Sequence, residues 1–573
     1  MKDETIPLRK DIPAEYKWDL TQLYKTDEEW EADLKKIPSL VKNFSSFKGR
    51  LSESSSIFLE ALKADEALDR QIEKVYHYAS LNNEADQGDS AAQEKYSRVM
   101  MAYTAACSET SFFTPELLAI PDEKINSWIE HPEFKDYKIY IQKALHAKPH
   151  ILSEKEERIM ALQSESGQTA SNVFSLLNDV DMNFGTVEVE GKQLPLTHST
   201  WSDFEENHDR KIRKEAYEKF YGAFESHANT LAALYSGSVK NDIFHARARG
   251  YNSSLEAALY GDKVPVSVYK NLIETVHKNL DTLHRYYKIR KKVLGVEELR
   301  HYDVYVPLVK SIKSKISYDE SVEIVRNALA VLGSEYTDTL CGGLKGGWVD
   351  RFENKGKNSG AFSSGCYEGY PYILLNYKDT SLRDVYTMAH EGGHSMHSWY
   401  SVRNNPFMSY EYTIFEAEVA STFNEELVFE YLLKNAKDHE MKKYLLSMRA
   451  NDILATLHRQ TMFAEFELKC HEAVENNEPL STEAIRSIYR KLLEQYFGPA
   501  MKFEKSSDME GLRIPHFYNA FYVYKYSTGI SAALALAKRV VNGGKQEHED
   551  YFKFLKSGGS RYPIESLKVA GVN

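Results

Sequence analysis

Two histidines four residues apart, with a glutamate directly after the first, are the residues best suited to chemistry: His390, Glu391 and His394. On a helix, side chains four residues apart lie on one face, so both imidazoles can bind one metal ion. Glu391 points close to the same centre, where it can take a proton from water. Catalytic zinc usually has three protein ligands, so the motif predicts one more ligand elsewhere in the chain.

Glu418 is the predicted third ligand. It lies in residues 415–427, where the apolar residues follow the 3.6-residue period of a helix that could dock beside the first. Glu416 lies about 200° around that helix from Glu418, so the two cannot both face the metal. Glu425 lies two turns further on and could instead accept a hydrogen bond from a ligand.

The helix that carries the two histidines is predicted to be buried, because apolar residues flank the motif at Val385, Met388, Ala389, Met396 and Trp399. Gly392 and Gly393 lie in its middle, each at a cost of about 1 kcal/mol relative to alanine, which suggests that a neighbouring backbone comes close. His397 follows His394 by nearly one turn, and we expect it to pack rather than bind metal. The alternative interpretation is a helix with two unrelated surface histidines.

Composition narrows the class of protein. The chain has 573 residues, 42% hydrophobic and 27% charged, as in globular proteins, and a net charge of −12, which argues against a nucleic-acid binder. The four cysteines are scattered, as in a reduced cytoplasmic protein. We expect no secretory signal in the charged residues 1–20, and the apolar residues 530–537 are too short to cross a bilayer.

Helix dominates the predicted secondary structure, and residues 438–476 are predicted to form one long helix or two. Residues 183–196 read as a hairpin with a glycine turn. Residues 359–365 and 371–377 predict two short strands just before the histidine helix. An exposed strand edge there can pair with the backbone of an extended peptide, although an ordinary structural hairpin is the alternative.

A cluster near the C-terminus contains His516 and four tyrosines within residues 516–526. A phenol or imidazole that donates to a carbonyl oxygen stabilises the negative charge that develops during amide hydrolysis. On a helix, Tyr522 and Tyr524 cannot face the same way, so one could donate while the other packs. The alternative is a helix whose aromatic side chains belong to the core.

Residues 384–397 together with 415–421 resemble the oligoendopeptidase F branch of the thimet-type oligopeptidase family. Residues 16–24 resemble the start of those proteins, and residues 516–529 resemble their C-terminal histidine and tyrosine segment. The resemblance therefore spans nearly the whole chain.

The resemblance implies a mainly α fold: a large two-lobed helical body with a deep central channel and a small β-sheet next to the zinc helix. On this basis we place an N-terminal helical lobe with a small hairpin at residues 1–200. The catalytic metallopeptidase region, with the zinc helix, is placed at residues 201–573.

The resemblance also implies one Zn²⁺ per chain and a set of site residues. The zinc ligands would be His390, His394 and Glu418, the general base Glu391, and the oxyanion and substrate-binding residues His516 and one or both of Tyr522 and Tyr524. Phe521 stands where the thimet branch has a tyrosine, so the identity of the donor stays open.

The predicted function is a cytoplasmic zinc endopeptidase that hydrolyses short unstructured oligopeptides. Neither a nucleic-acid nor a membrane partner is expected, and the oligomeric state is left open. One alternative is a zinc carboxypeptidase, which needs a cation for the substrate carboxylate, and Arg513 and Lys525 are the candidates. The other is a non-catalytic peptide-binding protein, although such a protein has no use for Glu391.

Overall fold

Helices make up most of the chain, as the apolar periodicity predicts. A computed structural model describes residues 6–309, 312 and 315–573, so residues 1–5 of the charged N-terminal segment lie outside it. About 70% of the structure is helical and 4% is strand, which confirms the prediction of a mainly α protein. Within the described residues, no helix has the length and apolar character needed to span a membrane.

The α-helices, numbered in chain order, are α1 (Asp27–Leu34), α2 (Ile37–Ser45), α3 (Ser55–Ala85), α4 (Ser90–Thr110), α5 (Phe113–Ala119), α6 (Asp122–Ile129), α7 (Lys138–His146), α8 (Glu154–Gly167), α9 (Thr169–Leu176), α10 (Trp201–Glu205), α11 (Arg210–Ser226), α12 (Ala228–Ala248), α13 (Ser254–Tyr260), α14 (Val266–Lys278), α15 (Leu280–Leu294), α16 (Tyr318–Ala328), α17 (Ser334–Lys345), α18 (Leu382–Asn404), α19 (Ile414–Lys434), α20 (His439–Ile453), α21 (Gln460–Glu475), α22 (Thr482–Phe497), α23 (Tyr524–Asn542), α24 (Lys545–Ser557) and α25 (Pro563–Val569). Residues 438–476 form α20 and α21, joined by a π-helical segment at Leu454–Arg459.

The strands are β1 (Thr186–Val189), β2 (Lys192–Pro195), β3 (Leu299–Arg300), β4 (Val349–Asp350), β5 (Phe362–Ser364), β6 (Tyr372–Leu374) and β7 (Met501–Lys502). β1 and β2 form the predicted hairpin, whose turn places Glu190 and Gly191 in the left-handed region. β3 pairs with β7 in parallel. The third sheet has the order β4-β6-β5, with β6 parallel to β4 and antiparallel to β5.

The chain divides into two compact units, each built from separated segments. Unit 1 contains residues 1–148, 313–435 and 529–573, and unit 2 contains residues 149–312 and 436–528. The boundary predicted after residue 200 lies inside unit 2, so this division differs from two consecutive lobes. The difference has a physical origin, since compact units are defined by contacts between distant segments, which a linear reading of the chain does not show.

Unit 1 contains the three-stranded sheet, α18 and α19. β6 contributes Tyr372 and Leu374, both 0% exposed, to a hydrophobic core that it shares with α1 to α7. On the other side of the sheet, Ser363 of β5 hydrogen-bonds Ser395 of α18 at 2.8 Å between the hydroxyl oxygens. The small sheet therefore lies next to the helix that carries the histidine motif, as predicted.

Candidate metal centre

α18 carries His390 and His394 on one face. The helix is capped by Ser381, whose side chain accepts a hydrogen bond from a backbone N–H of the first turn. Its predicted apolar residues Val385, Met388, Ala389 and Met396 are all 0% exposed. The two imidazole ring centres are 4.8 Å apart and their Nε2 atoms are 3.2 Å apart. The imidazoles therefore converge, as side chains one helical turn apart should.

α19 brings Glu418 to the open side of the two imidazoles. Its Oε2 lies 3.3 Å from His390 Nε2 and 3.5 Å from His394 Nε2. The hydroxyl of Ser421, one turn along the same helix, donates to this oxygen at 2.9 Å. Ser421 was not singled out in the sequence, although its spacing of three residues from Glu418 is the signal of a helical neighbour.

Glu416 and Glu425, the other two glutamates of α19 considered as ligands, make different contacts. Glu416 caps the helix by accepting hydrogen bonds from the backbone and hydroxyl of Thr413 at 3.3 and 3.1 Å. Glu425 Oε1 lies 2.7 Å from His390 Nδ1 and accepts a hydrogen bond from it. This bond leaves the Nε2 atom of His390 facing Glu418, which is the orientation that metal-binding histidines commonly have.

The three candidate ligand atoms have a spacing that would suit a tetrahedral zinc ion. Among the described residues, His390, His394 and Glu418 are the one group of potential ligands whose binding atoms all lie within 4.8 Å of one another. Zinc–ligand bonds of about 2.0–2.1 Å place neighbouring ligand atoms about 3.3–3.4 Å apart in a tetrahedron. The observed separations of 3.2, 3.3 and 3.5 Å fit this value and leave a fourth position for water or substrate.

The carboxylates make this site strongly attractive to a cation. Burial lowers the pKa of His390, but the hydrogen bonds that its ring donates to the carboxylates of Glu418 and Glu425 outweigh burial and raise that pKa to about 10. For Glu418 burial acts in the opposite direction and raises the pKa, but hydrogen bonds with the two imidazoles hold that pKa well below its usual range. A metal ion must therefore displace a proton from the imidazole pair.

Glu391 lines the same cavity as the ligands. The cavity has a volume of about 560 Å³, and its wall includes residues 361–363, at the start of β5, as well as His390, His394 and Glu418. Glu391 is only 6% exposed, and burial raises the pKa of its carboxyl group against the opposing effect of the two histidines. A carboxylate with a raised pKa is a better proton acceptor near neutral pH.

The two glycines of the motif face different neighbours. A Cβ atom on Gly393 would lie 2.5 Å from the carbonyl oxygen of Ala420 and 2.6 Å from Cα of Ser421, both on the backbone of α19. A Cβ atom on Gly392 would meet only the side chain of Leu340, at 3.0 Å. The close backbone expected from the sequence is therefore α19, which carries Glu418.

His397 packs in the core of unit 1. It is 1% exposed, and its ring stacks on Tyr412 with the centres 3.7 Å apart. Burial lowers the pKa of this imidazole to about 3. The packing role expected for His397 matches this position.

The C-terminal cluster lies in unit 2, where the structure separates its two candidate tyrosines. Tyr522 is half-buried; its ring centre lies 6.4 Å from that of His516 and 5.4 Å from that of Tyr526. Tyr524 is 0% exposed and packs on Tyr269, with the ring centres 5.1 Å apart. We therefore correct the assignment of Tyr524, which belongs to the core and does not face solvent. Tyr526, four residues from Tyr522, lies beside it with the two hydroxyl oxygens 3.4 Å apart.

Known proteins match this chain over nearly its whole length. The sequence model of peptidase family M3 matches residues 204–573, and that of oligopeptidase F matches residues 116–184. An oligoendopeptidase F homolog of Borreliella burgdorferi is 45% identical over 99% of this chain and 95% of its own length. A crystal structure from Chlamydophila abortus is 37% identical and superposes with a TM-score of 0.93, covering 99% of this chain and 96% of that one. The oligoendopeptidase F of Enterococcus faecium is 33% identical with a TM-score of 0.71, and the match covers 96% of this chain and 95% of that one.

These matches and the histidine–glutamate centre identify the chain as a metallo-oligopeptidase that belongs to peptidase family M3, in its oligoendopeptidase F branch.

Proposed function

We propose that this chain is a zinc-dependent endopeptidase that hydrolyses short, unstructured oligopeptides, with one Zn²⁺ per chain. The observation that carries the proposal is the spacing of the three ligand atoms of His390, His394 and Glu418, beside the buried Glu391. Two imidazoles and a carboxylate are a ligand set that zinc favours. Bound Zn²⁺ supplies Lewis acidity, which polarises a peptide carbonyl and favours the deprotonation of water.

Glu391 is proposed as the general base and then the general acid. Its carboxylate accepts the proton of the attacking water and delivers it to the nitrogen of the leaving amine. Its raised pKa makes the carboxylate a stronger base for the first transfer than an ordinary glutamate. Glu425 keeps the ring of His390 in one tautomer and orientation throughout.

The free edge of β5 is proposed to bind the substrate backbone. In the described part of the chain, β5 pairs with β6 alone, so its other edge can accept an extended peptide as an additional strand. Residues 361–363 line the cavity that contains the metal ligands. Recognition through backbone hydrogen bonds depends little on side chains and suits a peptidase that acts on varied oligopeptides.

His516 and Tyr522 are proposed to donate hydrogen bonds to the substrate carbonyl oxygen, as the family resemblance implies. His516 is exposed and Tyr522 is half-buried, so both can reach a ligand. Partial desolvation of the imidazole, although the residue is exposed, lowers the pKa of His516, so the neutral ring is favoured at neutral pH. A donor that is neutral in the ground state and aimed at a developing oxyanion favours the transition state.

The alternatives are less well supported. A carboxypeptidase needs a cation for the substrate carboxylate, but Arg513 pairs with Glu510 at 3.3 Å and Lys525 pairs with Asp262 at 3.0 Å. A non-catalytic peptide-binding protein would not need Glu391. The acidic net charge favours peptides over nucleic acids, and four free cysteines suit a reducing compartment, so we propose a cytoplasmic enzyme.

Metal analysis and peptide cleavage by wild type and Glu391→Gln test this function. The substrate is a peptide blocked at both ends, which an endopeptidase cleaves and a carboxypeptidase does not. We expect about one zinc per chain in both proteins and a fall in turnover of about 10²–10⁴-fold in the variant, as for loss of a general base. A variant that cleaves at a comparable rate would refute the role of Glu391.

A further inference from the structure

β5 is too short to hold its own position. It has three residues and one neighbouring strand in the described structure, and all three side chains are half-buried. A pair of strands this short is marginally stable without support from other elements. The distance between its free edge and the metal ligands must therefore be set by contacts outside the sheet.

One face of β5 is hydrogen-bonded to α18, the helix that carries His390 and His394. The hydroxyl of Ser395 donates a hydrogen bond to the carbonyl oxygen of Pro371 at 3.2 Å. Because its one proton is used there, Ser395 accepts a hydrogen bond from the hydroxyl of Ser363, at 2.8 Å between the oxygens. Ser395 is 0% exposed and directly follows His394. This face of the strand is thereby connected to a metal ligand through one residue of helix backbone.

Gly365, directly after β5, also lies in close contact with α18. A Cβ atom on Gly365 would lie 2.5 Å from both Cβ and Oγ of Ser398. Ser398 is one turn beyond His394, so Gly365 allows the strand to approach the helix directly.

The opposite face of β5 is attached to α3. Successive side chains of a strand point to opposite faces, so Ser364 points away from Ser363. The Ser364 hydroxyl lies 2.9 Å from Nε2 of His77, which is in the middle of α3 and 287 residues away in the chain. Burial lowers the pKa of His77 to about 4, so the ring stays neutral and the hydrogen bond persists at neutral pH. The Phe362 side chain, on the same face as Ser364, packs beside Trp18, with the ring centres 6.5 Å apart.

We propose that His77 is a positioning residue of the peptidase site. Together with Ser395 on the other face, it fixes β5 so that an extended peptide on the free edge presents its carbonyl at the metal centre. His77 touches neither substrate nor metal in this role and acts through Ser364. The inference rests on the proposed function, and it gives the N-terminal helix α3 an indirect part in substrate binding, through Ser364.

The test compares His77→Leu, which removes the hydrogen bond, with His77→Gln, whose amide can reach the same hydroxyl. The control is Asn82→Leu, which removes a hydrogen bond to the carbonyl of Tyr78 within α3. For a blocked peptide long enough to cover β5, we expect His77→Leu to lower kcat/KM about tenfold, the upper range for one hydrogen bond, mainly through KM. His77→Gln should recover most of this loss, whereas zinc content and Tm should match the control.

Two further measurements separate positioning from a general loss of structure. Ser364→Ala should cause a similar loss, and adding His77→Leu to it should cause little more, since both remove the same bond. Methylation of the substrate amide that pairs with β5 should penalise the wild type more than His77→Leu.

Equal kcat/KM for His77→Leu and Asn82→Leu, or additive losses in the double variant, would overturn the positioning role while leaving the peptidase intact. An equal methylation penalty in the two proteins would also overturn it. A wild-type protein that cleaves no peptide would overturn the proposed function and the positioning role together.

Discussion

Substitution of Gly393 by alanine should separate α18 and α19, the two helices that carry the proposed metal ligands. The added Cβ would lie 2.5 Å from the carbonyl oxygen of Ala420, whereas ordinary contacts begin near 3.4 Å, so α19 must move by about 0.9 Å. Metal sites tolerate deviations of only about 0.2 Å in ligand distances. The displacement acts directly on Glu418, because this residue is two positions before Ala420. We expect zinc affinity to fall by at least about 10–100-fold, the range seen when ligand support is lost.

Gly392→Ala is the matched control. Both substitutions increase helix propensity by about 1 kcal/mol, since each replaces a helical glycine with alanine. The new methyl group of Gly392→Ala meets only the flexible side chain of Leu340, which can rotate, so stability should change by less than about 1 kcal/mol. Overpacking at Gly393 should instead cost about 1–3 kcal/mol of unfolding free energy.

Zinc titration with a competing chelator, denaturant unfolding of the zinc-free proteins, and cleavage of a blocked peptide measure these effects. The expected order of zinc affinity is wild type, Gly392→Ala close to it, and Gly393→Ala far below. If Gly393→Ala bound zinc and cleaved peptide as well as Gly392→Ala, the close approach of α19 would not control the site, and the reasoning would fail.

Three further predictions concern the proposed metal ligands and the C-terminal tyrosines. Glu425→Gln should lower zinc affinity about 10–100-fold, because His390 loses a charged partner that orients its ring; chelator competition measures this, and unchanged affinity would contradict it. Zinc binding near pH 7 should release about one proton, since the pKa of His390 is raised to about 10 without metal, and affinity should therefore increase about tenfold per pH unit. Calorimetry in buffers of different ionisation enthalpy detects that proton, and identical heats would argue against it. Tyr522→Phe should lower kcat more than about tenfold with an unchanged Tm, whereas Tyr524→Phe, in the core, should leave kcat within about twofold. The reverse order in steady-state kinetics would reassign the donor.

Local features of the chain were predictable from the sequence, because they depend on neighbours within one or two helical turns. The four-residue spacing of His390 and His394 places both imidazoles on one face of any helix. The apolar period of residues 415–427 predicted a helix that docks beside the first, and its five apolar residues, Phe415, Val419, Ala420, Phe423 and Leu427, are all buried. The paired glycines at 392 and 393 predicted a close neighbour without identifying it.

The choice among Glu416, Glu418 and Glu425 depends partly on local and partly on distant contacts. The capping role of Glu416 could have been inferred from Thr413, three residues earlier, by the pattern of a capping box. The sequence indicated that Glu425 could accept a hydrogen bond from a ligand, but the choice of His390 as the donor requires the relative rotation and height of α18 and α19.

Contacts between distant segments were decided by packing alone. The chain passes between its two units four times, so the predicted pair of consecutive lobes differs from the observed division. Tyr522 and Tyr524 have the same chemistry and differ only in what packs against them, which leaves Tyr522 half-buried and Tyr524 fully buried. The bond between His77 and Ser364 joins residues that are 287 positions apart. Helical periodicity is repeated in every turn of the sequence, but the partner of a side chain across the core has no local signature, because it is selected by the shape and burial of the complete fold.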